Sequence, residues 1–271
     1  MLQPLTLLVN NELFREGENM NQRDYGVDEA VHSHEIYDII NSFDYDIPFW
    51  REQAGKAKGP VLELCCGTGR ITVPLAKHGI PIVGADLSRN MLAGFQKRCV
   101  RENIFPRSIS ADMRSFDLPE RFSLIFVPFN SFQCLYSLAD IEAALACIRR
   151  HLSPTGRFIL DVFNPSIEIM VDRFRAEQEN QTLNIPAKGV VRWKERCCYD
   201  AAAQVNRVTW TFIFPDGTEE IQRLDMRCFY PQELSVLLKA NGFIVEHFYG
   251  GYDCSEFCSE SPKQILVCRL G

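Results

Sequence analysis

The segment Glu63-Leu64-Cys65-Cys66-Gly67-Thr68-Gly69-Arg70 holds the most chemistry in this 271-residue chain. It joins a β-prone run, residues 60–66, to a helix-prone run, residues 70–78. Glycines at such a bend let a ligand approach the backbone closely, because no Cβ stands in the way. The helix start behind them offers unpaired N–H groups. Asp86 closes the next β-prone run, 81–86, and lies 19 residues after Gly67. A carboxylate at about that spacing accepts hydrogen bonds from ribose hydroxyls. The constellation therefore predicts a nucleoside ligand.

Two residues narrow the nucleoside. A dinucleotide site wants a third glycine where this chain has Thr72. It also tolerates poorly the carboxylate of Glu63, which would repel a pyrophosphate but suits a cationic amino-acid group. Both departures favour a nucleoside with a zwitterionic tail over a nicotinamide dinucleotide.

Residues 61–91 resemble the first two motifs of the class I S-adenosylmethionine-dependent methyltransferases. The first is similar to Val61-Leu62-Glu63-Leu64-Cys65-Cys66-Gly67-Thr68-Gly69, the second to Val83-Gly84-Ala85-Asp86-Leu87-Ser88 with Met91 one turn on. Ala111-Asp112-Met113, residues 122–133 and residues 152–157 resemble the family's later motifs, so the likeness covers roughly 60–165. It implies S-adenosyl-L-methionine as cofactor. The implied contacts are Glu63, Cys65, Gly67, Thr68, Gly69, Arg70, Asp86, Leu87, Ser88, Met91, Asp112, Met113 and Phe129, with Asp112 facing the adenine amino group. Cys66 departs from the small residue usual beside the turn.

Asn130-Ser131-Phe132-Gln133-Cys134-Leu135, with antiparallel strands further on, resembles the small-molecule N-methyltransferase branch of glycine and amino-sugar enzymes. That likeness implies that an inserted sheet roofs the acceptor pocket and that a tyrosine before the first motif covers the cofactor. Tyr37 is the expected match, Tyr45 the second. Asn130, Gln133 and Asn164, at the ends of the fourth and fifth strands, are the expected acceptor contacts. Tyr252 and Asp253 in the last long loop are placed to close over the same space. The expected reaction is methyl transfer to a small-molecule acceptor, on nitrogen rather than oxygen. A nicotinamide-dependent dehydrogenase and a non-catalytic nucleoside-binding module of the same fold are the alternatives.

Short apolar runs alternating with amphipathic helices predict an α/β fold, a doubly wound seven-stranded Rossmann-like sheet. Residues 1–58 read as an N-terminal helical cap, with helices starting at His32 and Ile47. Residues 59–165 and 231–271 read as the cofactor-binding domain. Residues 166–230 read as an inserted antiparallel meander of three strands, 189–199, 204–214 and 219–230, with Pro215-Asp216-Gly217-Thr218 as a hairpin turn. Alternation in the middle strand slips once near Arg207, which leaves the faces of Trp193 and Trp210 open.

Composition excludes several classes. Hydrophobic residues make up 46% and charged residues 24%, enough for a packed core. A net charge of −6 without a dense basic block argues against nucleic acid as partner. No run approaches a membrane span, and the first residues lack a signal-peptide pattern. Eleven scattered cysteines predict free thiols and a reducing, cytoplasmic setting. Cys197 and Cys198 alternate on a strand and are expected to pack; Cys254 and Cys258 are expected to stay unpaired. His32 and His34 lack the companions a metal needs, so no metal is expected. A monomer or homodimer is expected.

Overall fold

The computed structural model describes residues 34–166, 178–186 and 188–271. β1 (Val61–Leu64) is buried at all four positions, which requires a strand covered on both faces. It pairs in parallel with β2 (Ile82–Asp86) and with β4 (Phe122–Val127). β3 (Arg107–Ser110) extends the sheet beyond β2, and β5 (Leu152–Phe163) beyond β4. β5 begins at Leu152, which already pairs with Phe122 before a register shift. β10 (Phe243–Tyr249) and β11 (Lys263–Leu270) complete a seven-stranded sheet in the order β10-β11-β5-β4-β1-β2-β3. In this sheet β11 runs against the direction of the other six strands.

Helices cover both faces. α1 is His34–Ile40, α2 Ile47–Gly55, α3 Thr72–Lys77, α4 Arg89–Glu102, α5 Leu138–His151 and α6 Pro231–Ala240. Ser88 caps α4 by accepting from the Met91 amide, and Ser137 caps α5 by accepting from the Asp140 amide. One core fills the space between the sheet and α5 and α6, around Leu62, Leu64, Phe158 and Leu160. The other packs Phe49 and Trp50 of α2 and Leu75 of α3 on Val61, Phe126 and Ile159. Successive residues of β1 thus feed opposite cores, as the pleat requires.

The second sheet has four strands, one more than the alternation predicts: β6 (Gln178–Ile185), β7 (Gly189–Asp200), β8 (Val205–Ile213) and β9 (Glu219–Arg227). β6 reads QENQTLNI, too polar to stand out as a strand. β8 pairs with both neighbours without a bulge, so the slip near Arg207 is a change of residue type, not of register. Val208, Trp210 and Phe212 share one face. Cys198 is exposed, contrary to the packing expected for it, while Cys197 is half-buried.

This sheet is stitched to the first. The 3-10 turn Ser131–Cys134 and the residues after it meet β9 through three hydrogen bonds. Gln133 Nε2 donates to the Arg227 carbonyl at 2.7 Å, Tyr136 Oη to the Asp225 carbonyl at 2.8 Å and Arg227 Nη1 to the Tyr136 carbonyl at 2.8 Å. All 11 cysteines are free thiols. No helix among the described residues is long and apolar enough to cross a membrane.

Candidate cofactor and acceptor site

A cavity of about 290 Å³ opens at the carboxyl ends of β1, β2, β3 and β4. Its inner wall is the bend after β1, where Cys65 and Gly67 have φ of 58° and 55°. A Cβ on Gly67 would meet nothing within 4 Å, so this glycine leaves open space for a ligand. Gly69 does a different job. A Cβ there would lie 2.6 Å from Phe95 Cδ2, so its bareness lets α4 pack behind the bend. Gly84 does likewise for Cys66, whose Sγ would sit 2.9 Å from an added Cβ. The extra bulk of Cys66 is absorbed under the sheet and does not reach the cavity.

Asp86 ends β2 on the cavity wall. Its Oδ2 accepts from the Gly67 amide at 2.7 Å and its Oδ1 from the Ser88 amide at 2.8 Å. Each oxygen keeps a second lone pair for a ligand hydroxyl. Burial raises the carboxyl above its ordinary range, against the pull of these backbone bonds. Leu87, Ser88, Met91, Ala111, Asp112 and Met113 continue the wall. The Asp112 carboxylate is already engaged by Arg114, with Nη2 to Oδ2 at 2.7 Å, and Arg114 also reaches Asp140 at 2.8 Å. Burial opposes the charge on Asp112, but the Arg114 bonds overcome it and hold the carboxyl below its usual range.

Four of the expected cofactor contacts do not line the cavity. Glu63 sits one pleat before Leu64 and so points away from it, into the first turn of α3, where Thr72 Oγ1 donates to Glu63 Oε2. The two departures from the dinucleotide pattern are thus one hydrogen bond. Burial pushes the Glu63 carboxyl up to about 8, despite the Thr72 bond and the charge of Arg70. Arg70 forms a buried two-pronged pair with Asp46, at 2.6 and 2.7 Å, beneath the Phe43 ring. Thr68 donates to Asp38 at 2.6 Å, and Arg98 bridges Asp38 and the Thr68 carbonyl at 2.9 Å. Thr68, Gly69 and Arg70 therefore anchor α1, α4 and α2 around the bend rather than face a ligand.

Tyr37 of α1 lies on the cavity wall, and desolvation there raises its phenol above the ordinary value. Tyr45 does not line the cavity; it is 61% exposed and stacks on Phe43 at 4.7 Å. His34 hydrogen-bonds to Asn90 at 3.0 Å, and His32 lies outside the described residues.

The other end of the cavity is formed by Phe129, Asn130, Ser131 and Cys134 after β4, and by Trp210, Leu224 and Met226 of the second sheet. Trp210 is fixed by donation from Nε1 to Glu195 at 2.8 Å, while Trp193 packs edge-on behind it. Phe129 and Asn130 both hold positive φ, 50° and 66°. This costly pair is fixed by Asp161 of β5, whose Oδ2 accepts from the Phe129 amide at 2.8 Å and whose carbonyl accepts from the Asn130 amide at 3.0 Å.

Gln133 and Asn164 do not reach this wall. Gln133 is fully buried, accepting from the Phe163 amide at 3.1 Å while it donates to Arg227. Asn164 donates to the Ser261 carbonyl at 2.9 Å. Tyr252 turns inward and donates to Asp161 Oδ2 at 2.5 Å, and Asp253 accepts from Ser255. Sequence reading missed Asp161 and Lys263. Lys263 Nζ lies 3.0 Å from Asp161 Oδ1 and donates to Asn130 Oδ1 at 2.9 Å. The sequence signal for Asp161 is a charge within the apolar run 158–163 of β5; Lys263 only precedes the apolar run 265–268 of β11. Burial also pushes the Cys134 thiol up to about 12 and raises that of Cys65 well above its ordinary value.

Comparison with known proteins places this site in context. Residues 61–156 match the model of a methyltransferase domain. YqeM of Bacillus subtilis (strain 168), a provisionally named methyltransferase, is 24% identical over 228 residues, 81% of this chain and 87% of that protein. The dTDP-3-amino-3,4,6-trideoxy-alpha-D-glucopyranose N,N-dimethyltransferase of Streptomyces venezuelae is 27% identical over 136 residues, 50% of this chain and 51% of that one. Among solved structures, the CcbJ methyltransferase from Streptomyces caelestis superposes with a TM-score of 0.71 at 24% identity, over 90% of this chain and 100% of that one. The fold is that of the class I methyltransferases.

Proposed function

We propose that this chain, an S-adenosylmethionine-dependent methyltransferase by its fold and by the domain it carries, methylates an amine nitrogen of a small molecule. One observation supports nitrogen over oxygen. Among the described residues, the carboxylates on the cavity wall, Asp86 and Asp112, sit at the ends of β2 and β3, and no histidine lines it. The wall formed by Asn130, Ser131, Cys134, Trp210, Leu224 and Met226 offers no general base. A hydroxyl needs such a base to attack at neutral pH, whereas a neutral amine carries its own lone pair. The Streptomyces venezuelae relative is named for methylation of an amino sugar, which accords with this reading.

The cavity fits the cofactor by its shape and donor set: open space above Gly67, a carboxylate at Asp86 and an apolar strip of Leu87, Met91 and Met113. When bound, S-adenosyl-L-methionine supplies a methyl group on a positively charged sulfur. Asp86 would accept the ribose hydroxyls, and the Leu87 and Met91 side chains would border the base. Tyr37 would cover the ligand from α1. Ser131 and Asn130 would align the acceptor, and the second sheet would roof it and exclude water, so that alignment does most of the catalytic work. The 11 free thiols accord with a reducing, cytoplasmic setting.

The test is transfer of labelled methyl from S-adenosyl-L-methionine to a panel of small amines and matched alcohols. Label in amine products supports the reading. Label confined to alcohols overturns the choice of nitrogen, and no cofactor binding by calorimetry overturns the whole.

A further inference from the structure

Lysine carries three N–H donors and no lone pair. Lys263 Nζ, 2.9 Å from the Asn130 carboxamide, therefore identifies the near atom as its oxygen. The reversed amide would press an NH2 group against an ammonium. Lys263 is itself held: its side chain is 13% exposed, Asp161 at 0% exposure lies 3.0 Å away, and the rings of Phe129 and Tyr252 flank it at 5.4 and 5.8 Å. The backbone beneath is fixed as well, because Asp161 takes the amides of both Phe129 and Asn130. Main chain and side chain of Asn130 thus have one arrangement. Among the described residues Asn130 Nδ2 has no partner, and Asn130 lies on the cavity wall beside Ser131 and Trp210.

We infer that Asn130 presents its N–H pair to the acceptor, so the acceptor carries an oxygen lone pair, as in a hydroxyl, ether or carbonyl, next to the nitrogen that is methylated. This rests on the amine reading above and narrows it to amines with a neighbouring oxygen, amino alcohols and amino sugars being the simplest. Lys263 and Asp161 are positioning residues that act through Asn130.

The experiment compares trans-2-aminocyclohexanol with cyclohexylamine, which differ by one hydroxyl. Methyl transfer by the full chain should favour the amino alcohol by about tenfold in kcat/KM, the worth of one good hydrogen bond. Asn130→Ala should cut that preference below about twofold. Lys263→Met should weaken it by freeing the amide to turn, and Lys263→Arg should restore it. Equal rates with the wild type, or a preference that survives Asn130→Ala, would overturn the inference. If neither amine turns over, the arbiter is the Asn130 side-chain N–H pair in 15N-labelled protein with S-adenosylhomocysteine, assigned by its loss in Asn130→Asp. A shift with the amino alcohol alone supports the inference; no difference between the two amines overturns it. Calorimetric failure to bind S-adenosylhomocysteine would instead sink the methyltransferase reading itself.

Discussion

The amide of Gly67 donates to Oδ2 of Asp86 at 2.7 Å across 19 positions of sequence. The bend after β1 and the end of β2 are therefore one unit, held before any ligand arrives. Asp86→Ala should weaken binding of S-adenosyl-L-methionine by roughly 10- to 100-fold, in line with loss of charged hydrogen bonds worth about 1.5–3 kcal/mol. Isothermal titration calorimetry reads this directly. Unchanged affinity would remove Asp86 from the site.

The two glycines of the bend should respond differently to alanine. Gly69→Ala places a methyl 2.6 Å from Phe95 at a φ of 75° and should destabilise the fold by about 2–4 kcal/mol in chemical denaturation. Gly67→Ala meets no atom, so its folding cost should be only the left-handed backbone penalty of about 1–2 kcal/mol. Its larger effect should fall on ligand affinity, because the methyl enters the cavity.

Glu63 carries a pH signature. Its carboxyl is raised from an ordinary 4.5 to about 8 in the folded chain. Between those values the folded state binds one proton more than the unfolded state, so stability from this group is full below the lower value and falls as pH rises to the upper one. Glu63→Gln should remove that slope. The difference between wild type and variant should change by at most roughly 1.4 kcal/mol per pH unit across this window, with the wild type losing ground as pH rises. Parallel stability–pH curves would disprove it.

The Arg70–Asp46 pair is buried at 9% and 0% side-chain exposure. Removing one partner strands the other, so Arg70→Met should cost about 3–5 kcal/mol. The double variant Arg70→Met, Asp46→Leu should cost less than the single one. Denaturation midpoints of the set test this, and simple additivity would rule out a stranded charge.

Trp210 lies on the cavity wall opposite the bend and is braced by Glu195. Trp210→Ala should raise the KM of the amine by about tenfold while leaving cofactor affinity within about twofold. A fall in cofactor affinity of the same size would move Trp210 to the cofactor end.

The sheet and the bend were legible because their signals are local. Apolar runs name β1, β2 and β4, and Gly67, Gly69 and Asp86 stand at fixed offsets from them. Glu63, Thr68 and Arg70 stand at equally fixed offsets, yet strand pleat and helix turn aim them away from the cavity. The acceptor end was harder. Lys263 meets Asn130 across 133 positions and Tyr252 meets Asp161 across 91, distances over which no periodicity carries information. Gln133 and Asn164 are polar residues at the right strand ends, but buried backbone groups claim them first, because an unpaired buried carbonyl or amide is costly. β6 was missed because its apolar alternation is confined to Leu183 and Ile185, too short to stand out.

Cys65 and Cys134 border the cavity, and burial raises both thiols above their ordinary value, which disfavours the thiolate. A thiolate there would be a better nucleophile than most amines. The enclosure that shelters the electrophile thus also disarms the sulfur beside it.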